Sequence, residues 1–410
     1  MILGLTRTSP RSDPRRRCGA ASPGRGRPEG LARITVVLLP LLSSIPGCPQ
    51  TSDPPRREAT EARAPSVASA RRSDIAFYDV GLRPREIAVA DLNGDAHLDV
   101  AVVNAGEGTL TVLLGDGSGR LGRSASFPAG GEPSDVDAVD LDRDGDVDFV
   151  VANHETPNVS VLLNDGAGRF VPSPGSPLDT GARPHLHGLA TGDFDGAGWP
   201  DVAVESSETR EVRVLRGGPR GLSAAVAVPV GTMPYYRLGV GEVTGEARPS
   251  ILVPGHSDST VRIIESGDGR LREAAGTIRL SGRPWMVVAG DVNGDGHVDI
   301  VAVETDAISV SPAGTRGFGQ APGSPFSVRG ATGAAAGDLD GDGAADVAVG
   351  SWDGHEVTLL SGSPVVTRRV PMCERPIGLA IADLDGDGRG ELLATCTHTN
   401  KLAVTTVFPR

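Results

Sequence analysis

Aromatic side chains are scarce in this sequence: 3% of 410 residues, with only three Trp and three Tyr, which argues against a helical protein built on large interdigitating side chains. Positive charge is almost wholly arginine and scattered singly. No basic run is interleaved with aromatics, so nothing is laid out to track a phosphate backbone, and nucleic acid is not an expected partner. There is no G-x-S-x-G and no H-E-x-x-H, and no acid–base pair stands apart from the acidic clusters described below. What is abundant is Gly (56) and Pro (32), the punctuation of many short strands joined by turns, and the net charge is −13. The composition reads all-β.

Residues 33–48 start at Arg33, pass through an apolar core too short to span a bilayer, and end on Ile45, Pro46, Gly47 and Cys48. This reads as an export signal. The last four residues resemble the bacterial lipoprotein cleavage box, which implies lipidation of Cys48; an ordinary cleaved signal and an uncleaved anchor stay open. Residues 1–48 are therefore expected to be an extension plus export signal, and the polar, Pro/Ala/Arg-rich residues 49–73 a disordered linker. The expected location is the cell envelope or surface, with the lipid at Cys48 as the sole membrane attachment.

From residue 74 to 410 one pattern governs: D-x-[D/N]-x-D-x-x-x-D, set between apolar runs. It starts at Asp91, Asp140, Asp193, Glu242, Asp291, Asp338 and Asp383, at intervals of 45 to 53 residues. That period is one propeller blade. In the first unit, residues 85–90 read as a strand entering the loop, 99–104 as a strand leaving it, and 110–114 as a third strand closed by a Gly-rich turn. A weaker fourth strand follows, as at 224–230. The seventh unit stops at its third strand, and residues 75–80, ahead of the first unit, have the form of the one it lacks. The expectation is a seven-bladed β-propeller of four-stranded antiparallel blades, closed by pairing the N-terminal strand into the last blade.

The loops carry chemistry. Carboxylates at positions one, three, five and nine, with the carbonyl of position seven, surround one point with hard oxygen donors, which suits Ca²⁺ and not zinc. Three loops are complete: Asp140, Asp142, Asp144 and Asp148; Asp338, Asp340, Asp342 and Asp346; Asp383, Asp385, Asp387 and Glu391. Two use Asn at position three: Asp91, Asn93, Asp95 and Asp99; Asp291, Asn293, Asp295 and Asp299. Ala96 replaces the usual Gly at position six of the first loop, straining that turn. The third loop keeps Asp193, Asp195 and Asp201 but has Ala197 at position five; the fourth, with Glu242, Thr244, Glu246 and Ser250, is expected to have lost its ion. About five calcium sites and a weaker sixth follow.

Position twelve holds no bidentate Glu and strands flank the motif, so this is no EF-hand. Over residues 74–410 the chain resembles the FG-GAP or VCBS repeat family, which includes the propeller of integrin α-subunits and many bacterial surface proteins. The Phe-Gly and Gly-Ala-Pro elements of the integrin version are not evident, so the bacterial variant is the nearer likeness. The resemblance implies calcium turns at one end of the ring and ligand binding at the other.

Blade topology sorts the scarce residues by end. His154, His256, Trp352, His355 and His398 fall in connections between second and third strands; His185, His187, Tyr235, Tyr236 and Trp285 lie just after the Pro that opens a unit. All ten map to the end opposite the acidic loops. They suit a ligand surface with planes for stacking and imidazoles for hydrogen bonds, although loops collect such residues anyway and strand-start aromatics can plug the channel. Cys373 and Cys396 flank the first two strands of the last blade at that end, where an oxidising compartment permits a disulfide; two buried thiols are the other reading. The expected function is non-catalytic recognition or adhesion by a monomer, with an extracellular glycan or protein as ligand. A polysaccharide- or lipid-degrading enzyme, a purely structural surface protein, and a metal site among the histidines remain open.

Overall fold

The computed structural model describes residues 75–408 apart from 184, 246–247, 268–269, 315–316 and 363–364; Cys48, the export segment and the linker lie outside the described residues. All regular structure among the described residues is β-strand, arranged as seven antiparallel sheets. The first sheet runs Pro84–Ala90, Asp99–Asn104, Thr109–Gly115 and Leu121–Pro128 from the axis outward. The others repeat this order. In the second blade the outer strand is broken into Phe170–Pro172 and Leu178–Asp179, both paired to Asn158–Asn164.

The second strand of each blade explains the near-continuous apolar runs that follow the acidic loops. Asp99–Asn104, Asp148–Asn153, Asp201–Ser206, Asp299–Glu304 and Glu391–Cys396 are buried at every residue. Blades stack face to face, so a strand in mid-blade is covered on both sides and needs no polar alternation. Seven hydrophobic clusters fill the seven gaps between neighbouring blades. Phe149 and Val151 of blade two pack on Ala101 and Val103 of blade one.

The ring closes as the sequence implies. Ala76–Asp79 pairs antiparallel with Lys401–Thr406, Ala76 opposite Val404 and Asp79 opposite Lys401, and Lys401 makes an ion pair with Asp79. Leu393 and Leu402 of the last blade then share a cluster with Ile87, Val100 and Val102 of the first. At the axis the inner strands crowd one another; a Cβ on Gly378 would strike the Arg85 carbonyl oxygen. Small residues there are a packing requirement.

Two inner strands depart from the pattern. Those of blades one, two, five, six and seven span seven residues, whereas blade three has only Leu189–Gly192 and blade four only Gly239–Gly241. The residues that would have begun them, 185–188 and 235–238, leave the sheet, and Tyr236 takes a left-handed φ of 67°. Gly188 lets these two segments meet, since a Cβ there would lie 2.7 Å from Cα of Arg237.

Candidate functional site

Each acidic loop is wired by its own carboxylates. The position-one carboxylate accepts the position-six N–H in six loops: Ala96 to Asp91 (2.8 Å), Gly145 to Asp140 (3.2 Å), Gly198 to Asp193 (2.9 Å), Gly296 to Asp291 (2.7 Å), Gly343 to Asp338 (2.8 Å) and Gly388 to Asp383 (2.8 Å). Position six is left-handed throughout, and Ala96 adopts φ 69° where the others have Gly. The position-nine carboxylate is buried and ties the loop to its blade: Asp148 accepts N–H groups from Leu141 (3.0 Å) and from Asn164 (2.9 Å) beyond the third strand. Asp99 does the same with Leu92 and Gly115, and Asp201 with Phe194 and Gly217. Burial pushes Asp148 and Asp346 up to about 7, and Asp201 to about 6.

These loops have the donor set a cation needs. Carboxylate oxygens of Asp140, Asp142 and Asp148 lie within 4.8 Å of one another, as do those of Asp193, Asp195 and Asp201, of Asp338, Asp340 and Asp346, and of Asp383, Asp385 and Glu391. Oδ1 of Asp140 and Oδ1 of Asp193 are buried without any hydrogen-bond partner. A buried anionic oxygen left unpaired is costly unless a cation meets it, so the residues fit a metal ion. In loops one and five Asn93 and Asn293 accept the N–H of Asp95 and Asp295, both at 2.9 Å, which keeps the same wiring. In the fourth loop Ser250 occupies position nine, no acidic cluster forms among the described residues, and Glu246 lies outside them.

At the other end, a run of rings crosses four blades. His154 stacks on His185 (centroids 4.7 Å, 11°) and meets His187 edge-on at 5.1 Å; His187 lies 4.9 Å from Tyr235, which lies 5.2 Å from His256. Tyr236 joins His187 (6.1 Å) to Trp285 (6.5 Å). The truncated inner strands of blades three and four make this possible, because they release His185, His187, Tyr235 and Tyr236 from sheet geometry.

Tautomers follow from the hydrogen bonds. Nδ1 of His185 lies 3.2 Å from the His154 carbonyl oxygen and Nδ1 of His256 lies 3.2 Å from that of Pro284, so both nitrogens must donate. His187 Nδ1 lies 3.0 Å from Oε1 of Glu205, a buried side chain that also receives the His187 and Gly188 backbone N–H groups. In the neutral form each of the three imidazoles therefore presents Nε2 as a lone pair.

Beneath the rings lies a buried charge cluster drawn from several blades. Arg237 reaches Glu86 at 3.2 Å and Asp135 at 3.6 Å, while Asp135 accepts the Leu189 N–H and Asp137 accepts Thr191 Oγ1. Burial, against the pull of Arg237, raises Glu86 to about 7; burial and the Asp135 charge raise Asp137 to about 6. Burial works against the Arg237 cation, but Asp135 and Glu86 hold it firmly protonated.

A family model for the FG-GAP-like repeat matches residues 91–151 and 140–204, a stretch that holds the first three acidic loops. The chain is a β-propeller that carries FG-GAP-like repeats. No relative by sequence was found among curated proteins. Among solved structures, the FG-GAP propeller is similar to hydrazine synthase of Kuenenia stuttgartiensis (12% identity, 81% of this chain and 97% of that one, TM-score 0.58). It is also similar to the periplasmic gluconolactonase of Pseudomonas aeruginosa (19%, 71% and 86%, 0.53) and to a functionally unknown protein of Desulfotomaculum acetoxidans (16%, 72% and 88%, 0.52). At such identities the likeness is one of fold alone.

Of the ten ring residues singled out from the sequence, the FG-GAP propeller joins His154, His185, His187, Tyr235, Tyr236, His256 and Trp285. The remaining three lie on blades six and seven of the same end: Trp352 lies under the Arg375 guanidinium, His398 pairs with Glu374 at 3.2 Å, and the His355 carbonyl accepts the Met372 N–H. Cys373 and Cys396 sit in disulfide geometry, Cα atoms 5.8 Å apart. Glu86, Asp135, Asp137, Glu205 and Arg237 were not foreseen. For the four acids the signal was present as charged residues inside strands that otherwise read apolar, such as Glu86 in Pro84–Ala90.

Proposed function

We infer that this β-propeller with FG-GAP repeats is a binding or scaffold module. We propose that this one is an exported, monomeric recognition module, stabilised by calcium in its acidic loops, that binds a glycan or protein ligand on the His/Tyr/Trp end. The observation that carries the reading is the ring chain from His185 to Trp285, four blades wide and opposite the loops. Flat rings stack on sugar faces or a partner's loop, and imidazoles with free Nε2 atoms accept hydrogen bonds from hydroxyl groups. Calcium fits the loops because their donors are all hard oxygens that converge on one point. Export fits the residues 33–48 and the placing of Cys373 beside Cys396.

The test is a screen of the calcium-loaded protein against glycans, uronic-acid polymers and extracellular protein fractions, with product release followed in parallel. Binding without turnover, lost in both Tyr235→Ala and Trp285→Ala, is expected. Turnover would establish an enzyme on this scaffold instead, and binding retained by both variants would remove the ring chain as the ligand surface.

A further inference from the structure

A mixed cluster of imidazole and carboxylates lies at the axial end, away from every acidic loop. Glu132, in the connection leading into the inner strand of blade two, and His154 and Glu155, in the connection between its second and third strands, bring a ring nitrogen and two carboxylate oxygens within 4.8 Å of one another. Glu132 and His154 border a cavity of about 60 Å³ lined also by Arg85, His187 and Tyr236. Space of that size takes an ion and a water or two, and no sugar.

The hydrogen bonds leave donors pointing at this space. His154 Nδ1 is buried with no hydrogen-bond partner, and Glu132 Oε2 lies 3.9 Å from it. The other oxygen of Glu132 is held by Arg83 at 3.2 Å, which orients the carboxylate. His187, which also lines the cavity, is fixed by the buried Glu205 through Nδ1, so that its Nε2 lone pair is the free end of the ring. A histidine whose second nitrogen is tied to a buried carboxylate is the arrangement that metal-binding imidazoles use.

We propose that Glu132, His154 and Glu155 bind one divalent first-row transition-metal ion, with His187, which lines the same cavity, as a further donor. Mixed imidazole and carboxylate ligands select such an ion over calcium, which takes oxygen alone. The proposal does not depend on the ring chain binding any ligand, because metal uptake is measured without one.

The experiment is a titration of the full chain with Co²⁺ in excess calcium, which fills the acidic loops, read by the visible d–d bands of cobalt and by equilibrium dialysis; Zn²⁺ then competes. One equivalent with an imidazole-ligand spectrum is expected, weakened about tenfold or more in His154→Gln and in Glu155→Gln. Glu155 is exposed, so its variant folds even if His154→Gln does not. Asp140→Asn should keep the cobalt site while losing a loop ion. No cobalt equivalent, or one retained in both Gln variants, would overturn the assignment.

Discussion

The ring Nδ1 and the backbone N–H of His187 both donate to a single carboxylate oxygen of Glu205, at 3.0 and 2.7 Å. The second oxygen takes the Gly188 N–H at 3.3 Å, and the carboxylate is completely buried at the end of Asp201–Ser206. Burial raises the Glu205 carboxyl, while His187 pulls it back. One acidic side chain of blade three thus fixes the segment that left its inner strand, and with it the middle of the ring chain.

Glu205→Ala would leave three donors unanswered inside the protein. A loss of about 3 kcal/mol is expected in urea unfolding, with Glu205→Gln, which keeps one acceptor oxygen, costing less. An alanine variant as stable as the parent would mean that the segment is held by other contacts.

Position nine and position one of an acidic loop should behave differently once calcium is removed. Asp148 accepts two backbone N–H groups that bind the loop to its blade, so Asp148→Ala is expected to cost about 2 kcal/mol even in chelator, and more in calcium, where a ligand is lost as well. Asp140 accepts only the exposed Gly145 N–H and leaves one oxygen unpartnered, so Asp140→Ala should lower the melting temperature in calcium and hardly at all in chelator. Identical behaviour of the two variants in both buffers would contradict this division of labour.

The third loop is expected to take an ion despite Ala197. Its Asp193, Asp195 and Asp201 oxygens converge as in the complete loops, and Asp193 Oδ1 lacks a partner. Calorimetric titration should count six calcium ions, falling by one in Asp193→Asn with Asp195→Asn. At free calcium tenfold above the dissociation constant each site adds about 1.4 kcal/mol, so excess chelator should lower the melting temperature by many degrees. A count of five, unchanged by the double substitution, would remove the third loop.

Stability in chelator should fall as pH rises from about 4 to about 7, in part through Glu86. Its folded value near 7 stands above the ordinary 4.5, and that of Asp137 near 6 stands above 3.8. A carboxyl raised by folding binds its proton more tightly in the native state; its contribution is complete below the unfolded value and is lost as pH climbs to the folded one. Arg237, Asp135, Arg85 and Asp137 all act on Glu86, and Arg237 moderates the loss without reversing its sign. Glu86→Gln cannot ionise, so its melting curve should decline less steeply over this window, by on the order of a few degrees. Parallel slopes for the two proteins would show that Glu86 is not protonated in the fold.

How much could be read without coordinates depended on the distance over which each feature is encoded. The nine-residue loop closes on itself: Asp91 reaches Ala96, and Asp99 reaches back to Leu92, so ligand positions and turn strain are visible in a short window. The repeat of that window set the number of blades, and the stray strand at residues 75–80 announced its pairing with Lys401–Thr406. Which end of the ring a residue occupies also followed, because antiparallel strands alternate in direction.

Assembly around the axis was another matter. Glu86 meets Arg237 across 151 residues of chain, a contact that exists only because ring closure turns inner strands of distant blades toward one line. The truncation of two inner strands, the left-handed turn at Tyr236 and the burial of Glu205 under His187 leave no periodic mark either. Local hydrogen bonding settled the loops within the sequence itself, whereas the charges and rings at the axis acquired their partners from geometry that only the closed ring supplies.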